Sequence, residues 1–338
     1  MTKDLGQIWF VGALAVSAAV LCAILIAVLM PLLRRYALAR PNARSSHTVP
    51  TPQGAGIAVV AATVCCCIAG AAFTGVPLVT LPMVLAAAVG MAVLGAVDDV
   101  RTVDVIPRLA VQALLVAIVI SALPADLRIF GTLPWIVERA LLLVGGIWFV
   151  NLVNFMDGID WITVAEFIPA TAGIVVCAHY AGLPADITLL AAALGGAVLG
   201  FAFFNRPVAS VFLGDVGSLP LGLLLGWLLL LLAAHGHLAA ALLLPLYYLA
   251  DATLTLFRRM RNGERFWEAH RSHFYQRATT NGFSVMDVVS RVFGGNVVLA
   301  ALAFATILWP TWAVKIAALC CGAVLVGALL LSFSRGRR

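Results

Sequence analysis

Six aspartates stand in three short polar segments of an otherwise apolar chain: Asp98, Asp99 and Asp104, then Asp157 and Asp160, then Asp215. The first segment, Asp98-Asp99-Val-Arg-Thr-Val-Asp104, ends an apolar run with paired carboxylates. Negative charge at a helix C-terminus opposes the helix dipole. Adjacent carboxylates hold a cation, or raise one another's pKa so that one can act as a base. The plain alternative is a solvated helix end paired with Arg101 or Arg108. The second segment spaces Asn151, Asn154, Asp157 and Asp160 three residues apart. On a helix they form a slanting stripe, and a turn at Gly158 would make them converge. Such a set suits metal, ribose or base recognition.

The third segment runs from Asn205 to Phe212-Leu-Gly214-Asp215-Val-Gly-Ser218. Asp215 can hold a divalent ion whose other ligands are phosphate oxygens and water, or cap the helix it opens. Phe212 is an aromatic in a polar, glycine-flanked loop, where a nucleobase can stack. Asn205 and Asp160 offer an amide and a carboxylate to the base edge. A carboxylate acceptor suits the N3–H of uracil and rejects cytosine, which has no donor there.

Two basic segments complete the set. One, Arg40 to Gly56, contains Arg44, His47, Thr51 and Gly54 and reads as a phosphate- or headgroup-binding loop, or as an ordinary basic loop. The other holds His270-Arg271-Ser-His273, whose histidines share a helix face and can bind metal, or phosphate together with Arg271. Asp251 lies inside an apolar run and is a support residue by this reading.

These residues need a scaffold of a particular kind. The 338 residues are 63% hydrophobic and 11% charged, against about 25% charged in soluble domains. That excludes a soluble enzyme, a disordered chain and a disulfide scaffold. No charge occurs between Ile8 and Leu33 or between Ser45 and Val97. Unbroken runs exclude the alternating strands of a membrane barrel. The fold class is all-α, a polytopic membrane protein with about eleven transmembrane helices. The spans are about 8–33, 55–73, 78–97, 107–123, 135–153, 163–181, 187–204, 217–234, 238–257, 286–307 and 311–333.

Seventeen of the 21 Lys and Arg residues then fall on one face. The positive-inside bias makes that face cytoplasmic, with the N-terminus periplasmic and the C-terminus cytoplasmic. The same bias accounts for the net charge of +6, so no nucleic acid partner is needed to explain it. The six loop aspartates, with His47, His270 and His273, fall on the cytoplasmic side. The N-terminal apolar run is too long for a cleaved signal peptide and ends in Arg34-Arg35. The seven cysteines lie inside apolar runs and read as small helix residues. Residues 1–338 are expected to form a single transmembrane catalytic domain. Its active-site loops are about 34–54, 98–106, 154–162, 205–216 and 258–285.

Five pieces, in order, resemble the polyprenyl-phosphate N-acetylhexosamine-1-phosphate transferases, the glycosyltransferase family 4 enzymes. Phospho-N-acetylmuramoyl-pentapeptide transferase is in the same superfamily. They are Pro50-Thr51-Pro-Gln-Gly54-Ala-Gly56, Asp98-Asp99, Asn154-Phe-Met-Asp157-Gly-Ile-Asp160, Val211-Phe212-Leu-Gly214-Asp215-Val-Gly-Ser218 and His270-Arg271-Ser-His273. Arg40-Pro-Asn-Ala-Arg44-Ser-Ser-His47 and His273-Phe-Tyr-Gln-Arg277 look most like the branch that starts O-antigen-type polysaccharides. In one departure, Trp161 stands where the family usually has glycine.

The resemblance implies transfer of a sugar-1-phosphate from a UDP-N-acetyl sugar to undecaprenyl phosphate at a bacterial inner (cytoplasmic) membrane. The products are undecaprenyl-diphosphate sugar and UMP. It implies a Mg²⁺ cofactor, replaceable by Mn²⁺, held by Asp215. It gives Asp98 the task of deprotonating or orienting the lipid phosphate, with Asp99 beside it and the reverse order open. Asn154 and Asp157 shape the ribose and metal side, and His270, Arg271 and His273 steady the diphosphate. Asp160, Asn205 and Phe212 surround the uridine; Gly214, Thr51, His47 and Arg44 complete the substrate site. Partners are the two substrates and membrane lipid, with a homodimer left open. The rivals are a secondary transporter, disfavoured by acids massed at one face without a repeat, and an inactive sugar-nucleotide or lipid binder.

Overall fold

A computed structural model describes residues 2–39, 50–77, 79–264 and 270–335. Arg44 and His47 lie outside the described residues. Thirteen α-helices are described: α1 Thr2–Tyr36, α2 Gly56–Thr74, α3 Leu81–Val100, α4 Val105–Ser121, α5 Trp135–Met156, α6 Ile162–Ala181, α7 Ala185–Asn205, α8 Asp215–Leu232, α9 Leu238–Leu243, α10 Leu246–Arg261, α11 Phe274–Thr280, α12 Val285–Leu308 and α13 Trp312–Arg335. The protein is an all-α polytopic membrane protein. Among the described residues, nine helices are long and apolar enough to cross a bilayer, α8 and α9 together counting as one. The outward faces are apolar too: α1 exposes Ile8, Trp9, Val16, Val20, Ile24 and Val28. Such a surface needs lipid around it.

Each of the eleven expected spans is helical. α4 is short, at 17 residues. The ninth span is broken into α9 and α10 at Pro245, whose missing N–H cannot continue the ladder. The turn at His235-Gly236-His237 is a π-helical segment with non-helical backbone at His235 and Gly236. A two-stranded antiparallel pair, β1 Leu38–Ala39 and β2 Thr51–Pro52, closes the loop after α1; nothing in the sequence pattern foretold it.

α8 lies at the centre, with 15 of its 18 residues buried, and packs against α3 and α5. The approach of α3 is set by Gly95: a Cβ there would stand 2.2 Å from the Asp215 carbonyl oxygen. Small residues at such crossings let helix backbones meet closely. One turn beyond Gly95, α3 ends in Asp98 and Asp99. The C-terminal ends of α3 and α5 therefore meet the N-terminal end of α8.

Candidate active site

Asp99 and Asp98 are adjacent in sequence but engage different partners. The Asp99 carboxylate accepts the backbone N–H of Asp215 at 3.0 Å and of Val216 at 3.1 Å. It caps α8 from another helix, satisfying donors that no residue of α8 can reach. Gln53 also donates to its Oδ1, at 3.4 Å. Asp98 accepts the Val103 N–H at 2.7 Å and binds Arg108 of α4 at 2.8 Å.

Arg108 joins the cluster together. Its Nη1 also lies 3.8 Å from Asp215 Oδ2, and its Nη2 reaches Asn151 Oδ1 at 3.5 Å. Asn151 in turn donates to the buried Gln112 at 2.7 Å. The sequence reading offered Arg108 only as a neutralising partner. Its signal was a cation directly after Pro107, inside the first turn of an otherwise apolar helix.

Asp215 opens α8 with its side chain 29% exposed, more open than Asp98 at 7%. Asn154, from the last turn of α5, donates to Asp215 Oδ1 and to Ser218 Oγ, both at 2.8 Å. Asp157 follows as the cap residue of α5, where the chain leaves the helix, and accepts the Thr163 hydroxyl. Burial, with the charges of Asp99 and Asp160, pushes the Asp157 carboxyl up to about 6 against the lowering effect of Thr163. An acid held above its unfolded value of about 3.9 costs stability once it ionises. That cost is absent below about pH 4 and complete above about pH 6. Asp157→Asn should therefore raise the melting temperature relative to the unmodified protein at pH 7.5 and lose that advantage at pH 4.

The residues after Asp157 are braced from three sides. Asp160 Oδ2 accepts the Ala209 N–H at 3.0 Å. Asn205 accepts the Trp161 N–H at 2.8 Å and donates to the Val211 carbonyl at 3.0 Å. Both side chains thus tie the 157–162 turn to the 205–216 loop. Trp161 adopts the left-handed conformation, φ 62°, a region that ordinarily favours glycine. Its indole N–H donates to the Ala202 carbonyl of α7 at 2.7 Å. With Val164, Ile168, Leu199 and Phe293 the indole lines an apolar cavity of about 410 Å³ between α6, α7 and α12. The tryptophan is anchored to α7.

Phe212 links the same loop to β2: its N–H donates to Pro52, and its carbonyl accepts from Gly54 and Ala55. Thr51, Asp160 and Ser210 share a cavity of about 830 Å³ with Arg34 and Met286.

A second aspartate repeats the capping device. Asp251 of α10, fully buried, accepts the N–H groups of Phe274 at 2.9 Å and Tyr275 at 3.0 Å. It caps α11 and meets His273 Nδ1 at 3.3 Å, fixing that ring. His273 stacks on His270, ring centres 4.8 Å apart, and the Ser272 hydroxyl meets His270 Nδ1 at 2.9 Å. The Tyr275 hydroxyl donates to the Phe155 carbonyl at 2.9 Å. Gly158 makes room for it, since a Cβ there would stand 2.2 Å from that oxygen. His273 is thereby held beside the α5 end, its ring 6.4 Å from that of Phe155. Arg271 acts electrostatically on Tyr275.

The structure thus brings Asp98, Asp99, Asn154, Asp157, Asp160, Asn205, Gly214, Asp215 and His273 to one end of the bundle. Among the described residues no three His, Cys, Asp or Glu side chains gather as a metal cluster.

Residues 81–233 match the family described as glycosyl transferase family 4. The chain is 28% identical over 174 residues to the phospho-N-acetylmuramoyl-pentapeptide-transferase of Bartonella quintana (strain Toulouse), covering 46% of this chain and 48% of that protein. It is 25% identical over 277 residues to a probable undecaprenyl-phosphate N-acetylglucosaminyl 1-phosphate transferase of Bacillus subtilis (strain 168), covering 76% and 75%. A phospho-N-acetylmuramoyl-pentapeptide-transferase of a Nitratiruptor species is 34% identical over 114 residues, 30% and 31% of the two chains. The matches therefore span from about a third to three quarters of these relatives.

Proposed function

The chain belongs to glycosyl transferase family 4, and from that premise we propose that it transfers a sugar-1-phosphate from a UDP-N-acetyl sugar to a polyprenyl phosphate. The observation that carries the proposal is the meeting of Asp98, Asp99, Asn154, Asp215 and Arg108 around one helix N-terminus, at the end of a lipid-embedded bundle. A lipid acceptor requires an enzyme in the membrane. A soluble nucleotide donor requires the site at an end of the bundle rather than at its midplane. The basic asymmetry makes that end cytoplasmic. Undecaprenyl phosphate in a bacterial inner membrane is the acceptor this reading favours. O-antigen or related polysaccharide initiation is the role suggested by the basic segments flanking the site.

In the reaction, a lipid phosphate oxygen attacks the β-phosphorus of the donor. The bond from that phosphorus to the bridging oxygen breaks, and UMP leaves with the oxygen. Three phosphates share the site, so their charge must be offset. Arg108, Arg271 and the His270–His273 pair offer cations and N–H donors. The donor set also suits Mg²⁺, which takes one or two carboxylates and completes its shell with water and phosphate. Asp215 would hold it, since among the described residues Oδ2 has no hydrogen bond and Arg108 stays 3.8 Å away. Bound there, the ion would neutralise phosphate charge. Asp98 orients Arg108, Asp99 holds the α8 terminus in place, and Asp160 and Phe212 would contact the uridine.

The test is an assay of the purified protein with undecaprenyl phosphate, Mg²⁺ and a panel of UDP-N-acetyl sugars, following UMP. Release of UMP with one donor is expected. UMP and UDP should compete, with CMP and CDP about 5- to 150-fold weaker, because an unpaired base edge in a closed site costs about 1–3 kcal/mol. CDP competing as well as UDP would remove the uridine pocket from the proposal. No UMP from any donor would remove the transferase.

A further inference from the structure

One amide stands where the buried stripe of α4 calls for hydrocarbon. The residues that α4 buries are Gln112, Val116, Val119 and Ile120, and Gln112 is fully buried. Among the described residues its Nε2 has no hydrogen-bond partner. An amide buried with its donor end unused costs free energy that a leucine would not. What offsets that cost must come from its oxygen.

That oxygen sets the orientation of a second amide. Asn151 of α5 donates from Nδ2 to Gln112 Oε1 at 2.7 Å and to the Ile147 carbonyl at 2.8 Å. Both N–H groups of the Asn151 amide are thereby used. A backbone carbonyl only accepts, so turning the amide over would lose both bonds. Its Oδ1 is left to face Arg108, whose Nη2 lies 3.5 Å away. Arg108 stands one turn before Gln112 on the same face of α4. The other arm of the guanidinium, Nη1, is taken by Asp98 at 2.8 Å and stops 3.8 Å from Asp215 Oδ2.

We propose that Gln112 is a positioning residue for Arg108, acting through Asn151, and that it helps to keep the guanidinium from closing on Asp215. Asp98 and Asn151 hold the cation by its two arms. With the Gln112 oxygen gone, one Asn151 N–H has no acceptor, and the amide is no longer held in its orientation. Arg108 then loses its second acceptor and moves toward the carboxylate still open to it, Asp215. Oδ2 of Asp215 is the oxygen assigned above to Mg²⁺, so a guanidinium there competes with the ion. A plain Gln–Asn contact that fastens α4 to α5 is the alternative, and it has no reason to act through Arg108.

This role rests on the Mg²⁺ site at Asp215 within the transferase reading, and the test separates the three. The probe is Mn²⁺. Its dissociation constant from the purified protein, without substrates, is read from the electron paramagnetic resonance of the free ion. Gln112→Met, similar in length and without the acceptor, should weaken Mn²⁺ binding about tenfold, the weight of one hydrogen bond to a charged group. In turnover the Mg²⁺ requirement should rise by the same factor, while kcat at saturating Mg²⁺ stays within about threefold of the unmodified enzyme. Gln112→Glu, whose protonated carboxyl keeps an acceptor for Asn151, should hold Mn²⁺ within about threefold of the unmodified protein. In an Arg108→Met background, Gln112→Met should change nothing, because no guanidinium is left to hold. An equal loss in both backgrounds, no loss in either, or Gln112→Glu as damaging as Gln112→Met would each overturn the inference while the metal site and the transferase stand. If Gln112→Met does not fold, Asn151→Leu in the same two backgrounds decides the matter by the same comparison. Mn²⁺ bound no better by the unmodified protein than by Asp215→Asn would overturn the inference together with the metal site, and the release of UMP would still decide the transferase.

Discussion

Asp215→Asn is expected to cut UMP release about 10³-fold or more at millimolar Mg²⁺, the scale of several kcal/mol of charge stabilisation supplied by a metal ion. The substitution keeps the shape of the side chain. Asn154 retains an acceptor, and α8 keeps its cap, because the cap is Asp99. The melting temperature should therefore stay close to that of the unmodified protein, which separates lost chemistry from lost fold. What disappears is the negative oxygen that faces Arg108 at 3.8 Å. A titration of turnover against Mg²⁺ reads this directly. Residual activity should need far more Mg²⁺, and Mn²⁺ should restore part of it. Near-normal turnover at low Mg²⁺ would take Asp215 out of the metal site and leave it as a hydrogen-bond acceptor for Asn154.

Why the site could be read from the chain at all comes from the lipid. Hydrocarbon forbids uncompensated charge at its centre, so polar residues collect at span ends. Counting spans was then enough to group Asp98, Asp157, Asp215 and His273. The division of labour between Asp98 and Asp99 was not legible. Neighbours on a helix point about 100° apart, and which of them meets α8 depends on how closely Gly95 lets α3 approach. Arg108 was hidden for a related reason. Of its two carboxylates, Asp98 lies ten residues away and was open to the sequence reading as its partner, whereas Asp215 comes from α8, far away in sequence.

Asn205 was legible as a polar loop residue and not as a brace. Its carbonyl serves the Trp161 N–H because that residue turns left-handed. The sequence marked the position only as a bulky residue in place of glycine. Asp251 was placed by its burial in an apolar run. That it caps α11 depends on a contact 23 residues away, which no local pattern encodes. The two acids Asp99 and Asp251 thus perform one task at two places. Each satisfies a helix N-terminus that carries a residue of the candidate site.

Asp98→Asn should lower turnover by about 10²-fold, within the range of a general-base contribution, while UDP-sugar binding changes little. The size alone does not say how Asp98 works. An independent base would take a proton from the lipid phosphate. A phosphate monoester has a second pKa near 6 and is already largely ionised at neutral pH. Both Asp98 oxygens are occupied, one by the Val103 N–H and one by Arg108. This geometry favours a carboxylate that aims a guanidinium. It also keeps Arg108 from closing on Asp215: with Asp98 neutral, Arg108 is free to move the remaining distance and compete with the metal. Two results follow. Asp98→Asn should raise the Mg²⁺ requirement as well as lower turnover, and Arg108→Met should abolish that added requirement. In the double variant the turnover should equal that of Arg108→Met alone, since Asp98 has nothing left to aim. If instead the two losses multiply, Asp98 acts on the lipid phosphate independently of Arg108, and the base assignment stands in its stronger form.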